Sequence, residues 1–127
     1  MSQVCIRGVG CYAPDTRLTN QELATRLGVT EDYIVKLTGV RERRRAALEE
    51  ATSDMAVLAA QAALHDAGID PEVIDGVLVA TATPDHVTPA TANLVQRRLG
   101  LRPVPTYDLN AGCTGSLYAF ITASSLI

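Results

Sequence analysis

The sequence predicts an α/β domain layered around a largely parallel sheet, and three observations carry that expectation. Strand and helix patterns alternate along the 127 residues, which is the signature of strand–helix–strand units. Residues 76–81 (GVLVAT) are a continuous apolar run bounded by turn residues, as in a strand buried on both faces. Hydrophobic residues make up 47% but aromatics only 4%, with no tryptophan. The core is therefore built from Ala, Val, Leu and Ile, which suits closely packed layers.

The elements follow in order. Residues 3–11 (QVCIRGVGC) alternate and are rich in β-formers, so they read as a strand, broken by Pro14-Asp15. Thr19 followed by Glu22 is a capping-box pattern opening a short helix that ends near Gly28. Thr30 caps a second short helix, which Gly39 stops, and the charged segment 40–51 reads as irregular. Thr52 or Ser53 caps a longer helix over 54–67, closed by Gly68. Three of its polar residues, Asp54, Gln61 and His65, share one narrow stripe, so cover is expected on the other sides. Asp70-Pro71 starts a small helical turn. Pro89 stands at a first helical position behind Thr88, giving a helix to about Leu99 that Gly100 closes. Residues 104–109 (VPTYDL) form another strand, and Asn110-Ala111-Gly112 turn sharply into a helix beginning near Cys113.

That last helix carries no charge from Cys113 to Ile127 and has no polar face, so it is expected to lie buried between layers. Gly115, Ala119 and Ala123 recur every four residues and would admit a close backbone neighbour. Few later elements are present to bury it and no C-cap closes it. The chain 1–127 therefore reads as one domain truncated within the helix after Cys113, or as one part of a two-chain protein.

A net charge of −3 argues against nucleic acid as the partner. One basic cluster stands out, Arg41, Arg43, Arg44 and Arg45 around Glu42. It reads either as a solvated connector or as a patch that meets a phosphate or an acidic carrier protein. No signal-peptide pattern opens the chain, and no apolar stretch approaches the roughly 20 residues of a membrane span. Cys5, Cys11 and Cys113 are an odd number without metal-like spacing. The expectation is a reduced, cytoplasmic protein with no metal and no resident cofactor.

Cys113 is the strongest candidate for chemistry. It follows a strand and a glycine-containing turn and begins a helix, a geometry like that of a nucleophile elbow. The helix N-terminus favours negative charge there, and the backbone N–H at the turn can donate to an oxyanion. Spacing alone also fits a cysteine that merely packs among small residues.

The segment 107–120, YDLNAGCTGSLYAF, resembles the active-cysteine segment of ketoacyl synthase III enzymes in the thiolase-like superfamily. Residues 38–46, TGVRERRRA, resemble that family's TGIRER stretch. Residues 77–100, VLVATATPDHVTPATANLVQRRLG, resemble its second strand, dimer-facing loop and following helix. The three matches are collinear and span essentially the whole chain. The resemblance implies a thiolase-like fold, present here as part of the first of two similar halves, in a homodimer formed through the region 81–100.

The resemblance further implies that Cys113 takes an acyl group from a CoA or acyl-carrier-protein thioester, its own N–H helping to form the oxyanion hole. The acyl-enzyme then condenses with a malonyl thioester that loses carbon dioxide. The family's supporting His and Asn lie in its C-terminal half and have no counterpart here, so this chain alone should acylate poorly and not condense. His65 reads as solvent-facing, His86 as a local hydrogen-bonding group that could near an interface, and Asn110 as a turn residue. Tyr33 stands where family members often stack a tryptophan on the CoA adenine, and Tyr33 can also stack or simply pack on its helix. Leu37, beside Lys36, stands at a family arginine position and cannot hold phosphate, which points to a carrier-protein donor. Arg41 belongs to the substrate-facing basic stretch. Thr88 stands where some members place a bulky aromatic reaching the partner's acyl pocket, so primers longer than acetyl are expected. Two rival readings remain: acyl transfer to an alcohol or amine without decarboxylation, and a non-catalytic partner that dimerises or binds a carrier protein.

Overall fold

The computed structural model describes residues 4–127. They divide into two compact units, one of residues 4–12 with Ala51–Ile127 and a smaller one of Ala13–Glu50. Among the described residues no helix is long and apolar enough to cross a membrane.

In the smaller unit, β1 (Arg17–Thr19) leads into α1 (Asn20–Leu27), followed by α2 (Glu31–Thr38) and β2 (Glu42–Arg44). The two helices begin and end where their sequences predict, but Glu22 pairs with Arg26 at 2.5 Å rather than returning to the Thr19 N–H as a capping box would. Thr19 Oγ1 accepts the Glu22 N–H and Thr30 Oγ1 the Tyr33 N–H, both at 3.2 Å. Gly28 and Gly39 close them in the left-handed conformation. The strands correct the expectation that 40–51 is irregular. β1 and β2 pair antiparallel, Leu18 opposite Arg43. Charged side chains hold the pair: Arg43 donates to Asn20 Oδ1 at 2.7 Å and to the Leu18 carbonyl, and Arg44 to the carbonyls of Pro14 and Asp15. Hydrophobic periodicity is blind to a strand secured this way. Two arginines of the basic cluster are thus fastened within the unit, whereas Arg41 is exposed and has no side-chain partner among the described residues.

The larger unit contains α3 (Thr52–Ala67), a 3₁₀ turn at Pro71–Val73, β3 (Val77–Ala80), α4 (Thr91–Arg98), β4 (Thr106–Leu109), a 3₁₀ turn at Gly112–Thr114 and α5 (Gly115–Leu126). β3 and β4 pair in parallel, in register Val77 with Thr106 through Ala80 with Leu109. α4 makes the crossover between them and buries Thr91, Ala92 and Val95. α5 packs on the same strands through its small residues, with Gly115 buried against the Ala80 methyl. The α/β class and the parallel pair are as expected.

Several boundaries differ. Residues 4–11 are not a strand: they join no ladder among the described residues, and Gln3 of the expected strand lies outside those residues. Alternation marks an extended chain, and only a hydrogen-bonded neighbour makes it a strand. The segment instead lies on α3, where Gly8 and Gly10 approach so closely that a Cβ on either would overlap helix backbone. The Val9 N–H donates to the Asp66 carboxylate at 2.9 Å. Neither Thr52 nor Ser53 caps α3, and Thr88 does not cap α4. The N-cap residues are Ala51 and Ala90, which have no side-chain acceptor. α3 is only partly covered, with Ser53 and Val57 its buried residues and His65 exposed. α5 is not enclosed by the described residues: Leu117, Tyr118, Phe120 and Ile121 are all more than half exposed.

Candidate active site

The candidate site is the junction from β4 into α5. Gly112 has φ of +54°, a conformation that favours glycine and turns the chain abruptly at the end of the strand. The Gly112 N–H faces Asn110 Oδ1 at 3.5 Å, so Asn110 is the turn residue its sequence predicts. The helix does not start at Cys113. A 3₁₀ turn intervenes, in which Thr114 Oγ1 donates to the Ala111 carbonyl at 2.9 Å and the Gly115 N–H to the Gly112 carbonyl. Cys113 sits in the middle of that turn, exposed and with a free thiol. Its backbone N–H has no acceptor among the described residues.

Behind the elbow is a set of remote helix caps. The Asp108 carboxylate on β4 accepts the Thr91 N–H at 2.7 Å and the Ala92 N–H at 2.8 Å. Thr91, completely buried, accepts the Asp85 N–H on its Oγ1 at 3.1 Å. Asp85 in turn accepts the Ser53 N–H at the start of α3 at 2.9 Å. Asp54 accepts the Ala51 N–H at 2.7 Å and pairs with Arg98 at 2.6 Å. The bond from the Ala51 N–H, then Arg98, hold the Asp54 carboxyl below its ordinary 3.8, against a smaller opposing effect of burial. Periodicity signals neither Asp85 nor Asp108. A usable clue is an acidic residue in a loop or strand end alongside helices that begin with alanine.

The predicted site residues fall on both units. Cys113 and Thr88 belong to the larger, Tyr33 and Arg41 to the smaller. Thr88 lies in an exposed loop with His86 and Val87, the latter 97% exposed. His86 makes no hydrogen bond among the described residues, contrary to the local role its sequence suggests. Tyr33 is 55% exposed and Leu37 is 70% exposed. Among the described residues no group of three or more His, Cys, Asp or Glu is placed to hold a metal ion. An apolar cavity of about 780 Å³ in the larger unit is lined by residues including Ile6, Leu64, Leu78, Leu99 and Ile121, and Cys113 is not among them. Its aliphatic walls offer a packing surface rather than convergent polar chemistry.

No family model matches the chain. Over 122 residues it is 52% identical to the beta-ketoacyl-acyl-carrier-protein synthase III of Laribacter hongkongensis, covering 96% of this chain and 38% of that protein. Its fold superimposes on 3-oxoacyl-acyl-carrier-protein synthase III from Aquifex aeolicus with a TM-score of 0.90 and 40% identity, covering 94% of this chain and 39% of the other. A priming beta-ketosynthase of a polyketide pathway matches with a TM-score of 0.88 and 37% identity, over 93% and 35% of the two chains. The chain thus spans about two-fifths of the length of the relatives it matches.

Proposed function

We propose, on the premise that the chain is a homologue of the beta-ketoacyl-acyl-carrier-protein synthase III enzymes over 96% of its length, that it supplies the acyl-accepting thiol of such a condensing enzyme. The observation that carries this reading is the elbow: an exposed cysteine on a glycine turn between a parallel strand and a helix, its own N–H unengaged among the described residues. The sulfur attacks the carbonyl carbon of an acyl thioester, forming the new C–S bond. The tetrahedral oxyanion is met by the Cys113 N–H, and the carrier thiolate leaves. The helix N-terminus ahead favours the negative charge that develops at this position. Loss of carbon dioxide from a malonyl thioester then yields the carbanion that displaces the sulfur. His and Asn groups supplied by the remainder of the enzyme assist that step.

The substrate assignments rest on position and exposure. Tyr33 offers an exposed ring for stacking, and Arg41 an exposed cation for the acidic carrier. With Leu37 beside them in place of a cation, an acyl carrier protein is favoured over CoA as donor. The exposed loop through His86, Val87 and Thr88 suits a homodimer contact, and the short Thr88 side chain leaves room for primers longer than acetyl. A cytoplasmic location accompanies this reading.

The test is mass spectrometry of the intact gene product after incubation with acyl thioesters. An acyl adduct on the peptide bearing Cys113, absent from Cys113→Ala, is expected, together with a product that depends on malonyl thioester. An adduct without such a product selects transfer to an alcohol or amine. Absence of any adduct would leave the chain as a dimerising or carrier-binding partner and sink the enzyme reading.

A further inference from the structure

Asp108 lies near the end of β4, the strand that runs into the turn holding Cys113. Both of its carboxylate oxygens are engaged at the start of α4, one with the Thr91 N–H at 2.7 Å and one with the Ala92 N–H at 2.8 Å. Ala90 at the N-cap provides no acceptor, so these N–H groups depend on the strand for their partner. The grip is seated on a fully buried residue, Thr91, whose Oγ1 also takes the Asp85 N–H. Between this clamp and the thiol lie only Leu109, Asn110, Ala111 and Gly112. The Leu109 carbonyl is itself held by the Thr81 N–H at 3.1 Å. The elbow therefore leaves the fold from a point fixed on two sides.

We propose that Asp108 is a positioning residue for Cys113: its two-oxygen grip on α4 fixes where β4 ends, and hence where the thiol and the Cys113 N–H point. This rests on the reading of Cys113 as acyl acceptor. The role requires a carboxylate, because two N–H groups need two acceptors. An asparagine offers one, and turns its NH₂ toward the other N–H. A misplacement on the order of 1 Å can cost roughly 100-fold in rate, so a small relaxation of the strand end is enough to register.

The experiment compares the intact gene product with D108N, D108A and D85A. Asp85 is the control, since it also caps a helix with its carboxylate, through the Ser53 N–H, but lies off the elbow strand. Three quantities are read well below the melting temperature of every variant: kcat and KM for acyl transfer, the rate of iodoacetamide alkylation of Cys113 relative to exposed Cys11, and the melting temperature itself. D108A is expected to lower kcat about ten-fold or more with KM little changed. The Cys113-to-Cys11 alkylation ratio should shift by about three-fold or more, with D108N between D108A and wild type. D85A should lose melting temperature yet leave kcat and the ratio alone. Unchanged kcat and ratio in both Asp108 variants, or equal losses in D85A, would overturn the proposal. If D108A fails to fold, D108N decides by the same criteria. If the wild type accepts no acyl group, the acyl-acceptor reading fails by itself, and the alkylation ratio still decides whether Asp108 positions the thiol.

Discussion

The helices of the two units begin by different means. In the smaller unit α1 and α2 are capped by the threonine that immediately precedes each, and Gly28 and Gly39 end them. In the larger unit α3 and α4 both start behind an alanine; Asp85 and Asp108 accept N–H groups of their first turns, and Asp54 accepts the N–H of Ala51 itself. The first pair carries its start signals within four residues of sequence. Two of the three carboxylates serving the second pair come from elements distant in sequence, a loop and a strand. Such caps do more than end a helix: they tie it to whatever carries the carboxylate. The larger unit, which holds the candidate nucleophile, is the one assembled this way.

The largest effect should come from Asp108→Ala, which strands two N–H groups at once and removes a charged acceptor. A loss of about 2 to 3 kcal/mol in urea unfolding is expected, and a loss no greater than for the threonine caps would break the contrast. Thr91→Val keeps the volume but leaves the Asp85 N–H without its acceptor in a buried place, at about 2 kcal/mol. Thr30→Ala removes only a local cap and should cost ~1 kcal/mol, as Thr19→Ala should. A cost well above that would mean these caps also serve tertiary packing.

The smallest effect is a pH dependence. The Asp54 carboxyl is held below 3.8 in the fold, so it releases its proton more readily there than in the unfolded chain. Its contribution is complete above that ordinary value and fades as pH falls from there through the lower folded value. The stability difference between wild type and Asp54→Asn should shrink over that acid window and stay flat from pH 5 to 7. A difference that grows on acidification would contradict the assignment.

The α/β class, the parallel strand segments, the ends of α1 and α2, the turn at Asn110 and Gly112, and the cysteine that follows are all legible in the amino-acid order. These depend on chemistry within a few residues: a threonine hydroxyl reaching the N–H three positions on, a glycine taking positive φ, a run of apolar side chains that only burial satisfies. Long-range contacts set the rest: residues 4–11 lie on α3 and join no ladder among the described residues, charged residues 42–44 form a strand, and alanines start α3 and α4. Each of those outcomes turns on a partner far along the chain, Asp66 for Val9, Asn20 for Arg43, Asp108 for Thr91. A hydrogen bond between distant residues leaves no periodicity behind, so it becomes visible only when the fold brings its two ends together.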